Sequence, residues 1–297
     1  MWKMEEIMKE CKTVSTSLCM YFLLTLLFSI PFSAVLAGLG IKADLSIQLL
    51  SILTTICVIP ILIKRYTRKL EITIPFDKHL NLSFSKVLYY TLIGIGSSMI
   101  LGILTNLINL LLLQFDLQMT MPDLSFKNDA FYNMIIILSV CVIAPVFEEL
   151  FFRGFILQAL KRHGNVFAII TTSILFALLH GNLVQAIPVF ALSIVISYSV
   201  IRTNNVLIGI LIHFLNNSLS IFELFFVKNV VISAIFLLVS IGFIIFTIST
   251  IIKKRTMILN YYHLYKGKNI TYFFKNWVSI VFLVLTLLMT ATSFIKI

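Results

Sequence analysis

The chain has 297 residues, 60% of them hydrophobic and only 12% charged, about half the charged fraction of an ordinary soluble domain. A water-soluble globule is therefore excluded, and so is nucleic-acid binding as the reason for the net charge of +11, because apolar stretches of about twenty residues, enough to cross about 30 Å of hydrocarbon, recur along the chain. The expected fold class is all-α, a polytopic transmembrane helical bundle whose surroundings are the lipid bilayer.

Nine apolar segments can be read in order, at 17–38, 45–63, 87–113, 134–160, 165–181, 184–201, 205–226, 229–252 and 277–295. The first follows Lys3, Lys9 and Lys12 and ends among small residues, Ala34 and Ala37, as a signal peptide does. It is longer than the apolar region of such a peptide, about 7–15 residues, so a retained anchor is expected. The polar segment from Lys64 to Lys86 separates the second and third spans. The ninth follows a basic connection, 253–276, where Tyr261, Tyr262, Tyr265 and Trp277 suit an interfacial belt. Three stretches are expected: 1–130 with three spans and a basic loop, 131–226 as a core, and 227–297 with the C-terminal spans. Cys11, Cys19, Cys57 and Cys141 have no close spacing and read as packing residues rather than a thiolate site or disulfide. His79, His163 and His263 fall in connections and read as solvent-side residues.

Charge tests the span count. Nineteen of the 23 Lys and Arg fall at the N-terminus and in every second connection, and only Lys42, Lys127, Lys228 and Lys296 fall on the other side. One missed helix would reverse every later loop and destroy that split. The positive-inside rule then puts the N-terminus in the cytoplasm and the C-terminus outside, as in a multi-pass protein of a bacterial plasma membrane. The basic connections are expected to touch anionic lipid headgroups.

Ionisable groups at bilayer depth are costly and mark functional sites by default. After Asp129 only three acids remain, Glu148, Glu149 and Glu223, and the last sits at the outer end of its span within reach of headgroups. The fourth segment holds Ala144-Pro145-Val146-Phe147-Glu148-Glu149-Leu150-Phe151-Phe152-Arg153-Gly154; the fifth ends Phe176-Ala177-Leu178-Leu179-His180; the seventh holds His213-Phe214-Leu215-Asn216-Asn217. At 1.5 Å per residue, Glu148, His180 and Asn217 lie roughly 21, 24 and 23 Å from the basic side, and His213 roughly 17 Å. Three helices thus bring polar groups to one layer. Glu149 and Arg153, at i,i+4, share a face and can neutralise one another, whereas Glu148 is turned about 100° away and free to act. His213 and Asn217, also i,i+4, can present an imidazole and an amide side by side.

The ordered set EExxxR, FxxxH and HxxxN, carried by Glu148, Glu149 and Arg153, by Phe176 and His180, and by His213 and Asn217, resembles the CAAX-processing and bacteriocin-immunity intramembrane proteases, the CPBP or Abi family. The resemblance covers about residues 131–225 and implies an eight-helix core, to which the ninth span is an addition. It implies an endopeptidase that hydrolyses a peptide bond in a hydrophobic peptide or membrane-protein substrate, with Glu148 as general base, His180 holding the same water, and His213 and Asn217 donating to the oxyanion. Glu149 and Arg153 would fix the local field, and Phe176 would pack behind His180. No cofactor is required on this reading. The alternative is a zinc enzyme in which Glu148, His180 and His213 ligate the metal and leave one position for water. A non-enzymatic immunity scaffold or transporter is a further possibility, although a transporter would be expected to show repeats in corresponding halves.

Overall fold

The structure, a computed structural model, describes residues 2–76, 83–124, 126–268 and 270–296; His79 lies outside them. The chain is an all-α polytopic bundle. Its helices are α1 (Trp2–Gly38), α2 (Ala43–Leu70), α3 (Phe84–Leu113), α4 (Ala130–Lys161), α5 (Asn165–Leu179), α6 (Leu183–Thr203), α7 (Val206–Phe226), α8 (Val230–Tyr265) and α9 (Trp277–Ala291). Seven are long and apolar enough to cross a membrane, while α5 and α9 are shorter apolar helices of 15 residues each, about 22 Å at 1.5 Å per residue.

Helix starts follow local chemistry. Ser83, Asp129, Asn182, Asn205, Asn229 and Asn276 each accept a backbone N–H of the following turn, which satisfies donors that a helix end leaves unpaired. Two long helices continue well past the apolar runs that signal them. The basic stretch after residue 63 stays helical to Leu70, and that after residue 252 to Tyr265. His263 consequently lies on α8 and not in a loop, because hydrogen-bonded backbone propagates where no Pro or Gly stops it.

Contacts at the two ends of the bundle reproduce the alternation inferred from charge. At the basic end, Arg162 bonds Glu10 at 3.0 Å and the Leu70 carbonyl at 2.9 Å. His163, expected to be unremarkable, bonds Glu10 at 2.6 Å, and the Lys268 N–H reaches the His163 carbonyl. The Val206 N–H is held by the Pro75 carbonyl. At the opposite end, Lys127 pairs with Asp44 and the Thr120 N–H bonds the Ser293 carbonyl. A feature absent from the sequence reading closes this end: β1 (Leu117–Met119) pairs antiparallel with β2 (Phe294–Lys296), tying the α3–α4 connection to the residues after α9. Three-residue strands carry too little alternation to be seen in a sequence.

The core lies around α4. Phe151, Phe152, Phe155 and Ile156 are buried and meet Val14 and Leu18 of α1, Leu62 and Tyr66 of α2, and Ile196 and Val200 of α6 in one cluster. The α4 rod is not uniform: residues 138–143 and 150–156 form π-helix, with the α-helical stretch Ala144–Glu149 between them. Pro145 sits at the start of that stretch, where its missing N–H is accommodated by the wider π turn before it. Such π segments are rare and recur at functional sites.

Candidate active site

The α-helical stretch of α4 ends on Glu148 and Glu149, which point in different directions. Glu149 is fully buried and is bonded by Arg153, also fully buried, at 2.7 Å. The guanidinium is also held by α6: it donates to the Ser193 hydroxyl at 2.7 Å and carbonyl at 3.3 Å and to the Ser197 hydroxyl at 3.3 Å, and lies 4.7 Å from the centre of the Phe176 ring. A buried ion pair persists only when its remaining donors are met, and the two serines, one helical turn apart, meet them. These serines were missed in the sequence; their signal was an i,i+4 hydroxyl pair in the middle of an apolar run.

His213 is drawn into the same cluster. Its Nδ1 lies 2.9 Å from Glu149 Oε1, and since a carboxylate only accepts, Nδ1 carries the hydrogen. Glu149 therefore orients an imidazole as well as neutralising Arg153. The second carboxylate oxygen is buried beside Gly209 without a hydrogen bond, and a Cβ at Gly209 would lie 2.9 Å from it and 3.0 Å from the Ile196 side chain. Only glycine leaves room for α7 to approach the carboxylate this closely.

His180 caps the end of α5, where the chain turns through Gly181, at φ +63°, into α6. Asn182 locks this turn: its side chain accepts the Gln185 N–H at 2.9 Å and donates to the His180 carbonyl at 3.0 Å. The His180 Nδ1 donates to the Phe176 carbonyl at 2.9 Å, which leaves Nε2 with its lone pair. Phe176 is the hub: its ring meets His180 at 5.1 Å, His213 at 5.7 Å and Phe152 at 4.8 Å, all edge-on.

Glu148 and His180 line one cavity of about 720 Å³, a size typical of ligand sites. Its floor includes Phe176; its walls are Cys19, Tyr21, Phe22 and Leu26 of α1 and Leu285 and Met289 of α9. The sequence reading assigned neither helix to the site, because apolar wall residues look the same as lipid-facing ones. His213 and Asn217 stand outside this lining. His213 is behind Phe176, and Asn217 donates to the Val140 carbonyl, in the first π segment, at 2.8 Å. The expected side-by-side pair is thus anchored at both members, one to Glu149 and one to the α4 backbone. Asn216 donates to the side-chain amide oxygen of Asn217 at 3.2 Å. Among the described residues no three His, Cys, Asp or Glu side chains gather closely enough to hold a metal ion, so Glu148, His180 and His213 as arranged do not fit a shared zinc, which requires all three at about 2 Å.

Residues 130–219 match the family model of the type II CAAX prenyl endopeptidases, Rce1-like. The stretch coincides with the three motifs and bears out the resemblance to the CPBP proteases read from them. The match covers less than a third of the chain and is flanked on both sides by spans outside it. No curated protein and no solved structure matches the chain.

Proposed function

We propose that the protein is an intramembrane endopeptidase that hydrolyses a peptide bond in a hydrophobic or membrane-associated peptide or protein, with water activated by Glu148 and no metal. The observation that carries this reading is that Glu148 and His180 share one cavity, with the His180 ring held so that Nε2 is left to accept. Water between them would donate one hydrogen to the Glu148 carboxylate and the other to Nε2. As its oxygen bonds to the scissile carbonyl carbon, Glu148 takes the proton, and returns it to the amide nitrogen when the carbon–nitrogen bond breaks. His213 and Asn217, outside the cavity lining in this structure, are assigned to the oxyanion of a substrate whose carbonyl oxygen reaches past Phe176 toward them. With Nδ1–H given to Glu149, His213 donates from Nε2 only when that nitrogen also carries a hydrogen. The loss of such a donor costs about 2.7–4 kcal/mol of transition-state stabilisation.

The basic end of the bundle is assigned to the cytoplasm of a bacterial plasma membrane, from the same distribution of Lys and Arg. The test is purified protein in lipid nanodiscs, incubated with a library of apolar peptides and read by mass spectrometry, with and without chelator. New termini from the wild-type protein, unaffected by chelator and lost in His180→Ala and Asn217→Ala, are expected. Loss with chelator and recovery with zinc would replace the metal-free mechanism, and no cleavage at all would favour a binding or immunity scaffold.

A further inference from the structure

The ninth span has no counterpart in the stretch that matches the protease family, yet Leu285 and Met289 of α9 line the cavity that holds Glu148 and His180. The hydrogen bonds and ring contact that fasten helix α9 to α1 among the described residues lie toward the basic end. The Ser15 and Ser279 hydroxyls are 2.6 Å apart, the Cys19 thiol reaches the Val278 carbonyl at 3.7 Å, and the Phe22 and Phe282 rings meet at 5.9 Å. Past Phe22 the helices offer apolar side chains to the bilayer: Leu26 and Leu288 are each 60% exposed. The far end of α9 is pinned by the β1–β2 ribbon. Two helices joined low, with the second also held at its far end, leave a lateral opening whose inner end is the polar pair.

Met289 also touches the turn that carries His180. A Cβ at Gly181 would lie 3.0 Å from the Met289 Cε, so the side chain that walls the cavity fills the space over the glycine that follows His180. The geometry points to α9 as the specificity wall of the site: Leu285 and Met289, facing Phe22 and Leu26, take the apolar side chain next to the scissile bond of a peptide that enters from the bilayer between α1 and α9. The occupant is a peptide and not merely a lipid tail because the inner end offers a carboxylate and an imidazole, which a hydrocarbon chain cannot use, whereas a backbone amide held there can. This inference rests on the proteolytic reading and adds the chemistry that chooses the substrate.

The test uses two peptides of the same sequence that differ only in the residue flanking the cleaved bond, Ala in one and Phe in the other. Met289→Trp and Leu285→Trp fill the pocket, and the ratio of kcat/KM for the Phe peptide over the Ala peptide is expected to fall at least tenfold. Met289→Ala is expected to raise it. Equal losses on both peptides, with the ratio unchanged, would overturn the inference and leave the proteolytic reading standing. A second measurement does not depend on turnover: the Phe peptide carrying a diazirine-bearing leucine is photo-cross-linked to the Glu148→Gln protein and the adducts are mapped. Adducts on residues 19–26 and 285–289 are expected. If the wild-type protein cleaves nothing, the proteolytic reading fails and this map alone decides the pocket; adducts confined to other helices overturn it.

Discussion

Arg153 and Glu149 bind each other at 2.7 Å with no solvent contact, and each also holds other groups: Arg153 the Ser193 and Ser197 hydroxyls, Glu149 the His213 ring. Removing one member leaves an uncompensated buried charge, which costs about 3–5 kcal/mol. Arg153→Met is therefore expected to lower the thermal midpoint in detergent strongly, and a double variant with Glu149→Gln to recover part of the loss; a single variant as stable as the wild type would show that the pair is not held as described. Gly209→Ala places a methyl group against the Glu149 carboxylate and Ile196. It is expected to destabilise the protein by about 1–3 kcal/mol, as overpacking does, and thermal unfolding of that variant checks it.

Helix α4 sets the geometry on which those residues depend. Its π segments interrupt the α period on both sides of Glu148 and Glu149, and the first offers the Val140 carbonyl to Asn217. Deleting one residue, Val142, is expected to return the segment to α-helix and to turn everything before it by about 100°. Asn217 then loses its partner, and peptide cleavage is expected to fall while membrane insertion, assayed by fractionation, persists. Cleavage at the wild-type level would show that the π segment has no bearing on the site. Most helices were legible in the sequence because apolar runs mark them, and the three motifs located the polar layer. The π segments, the β1–β2 ribbon and the α1 and α9 walls were not. Their signals are hydrogen-bond register, strands of three residues and apolar faces that look alike whether they meet lipid or a cavity. The helical spacing that paired Glu149 with Arg153 could not show that His213 joins them, because that bond crosses from α4 to α7.

Across the whole molecule, the ion pairs of Glu10 with Arg162 and His163 gather the start of α1 and the α4–α5 turn at one end, and the Lys127–Asp44 pair and the small sheet close the other. In the alternating reading the basic end carries 18 of the 23 cationic side chains, Arg153 lying buried within the bundle. Orientation is tested with single cysteines and a membrane-impermeant maleimide in intact cells: Lys228→Cys is expected to label from outside and Lys268→Cys only after permeabilisation, and the reverse pattern would invert the topology. The proposed mechanism comes down to one carboxyl group, that of Glu148, which lines the cavity. The most direct measurement is the turnover of Glu148→Gln beside the wild type on one cleavable apolar peptide, with thermal midpoints compared to verify folding. A general base contributes about 10²–10⁴ in rate, so a loss of at least a hundredfold with the midpoint retained is expected; turnover within twofold of the wild type would contradict the assignment of Glu148 as the base.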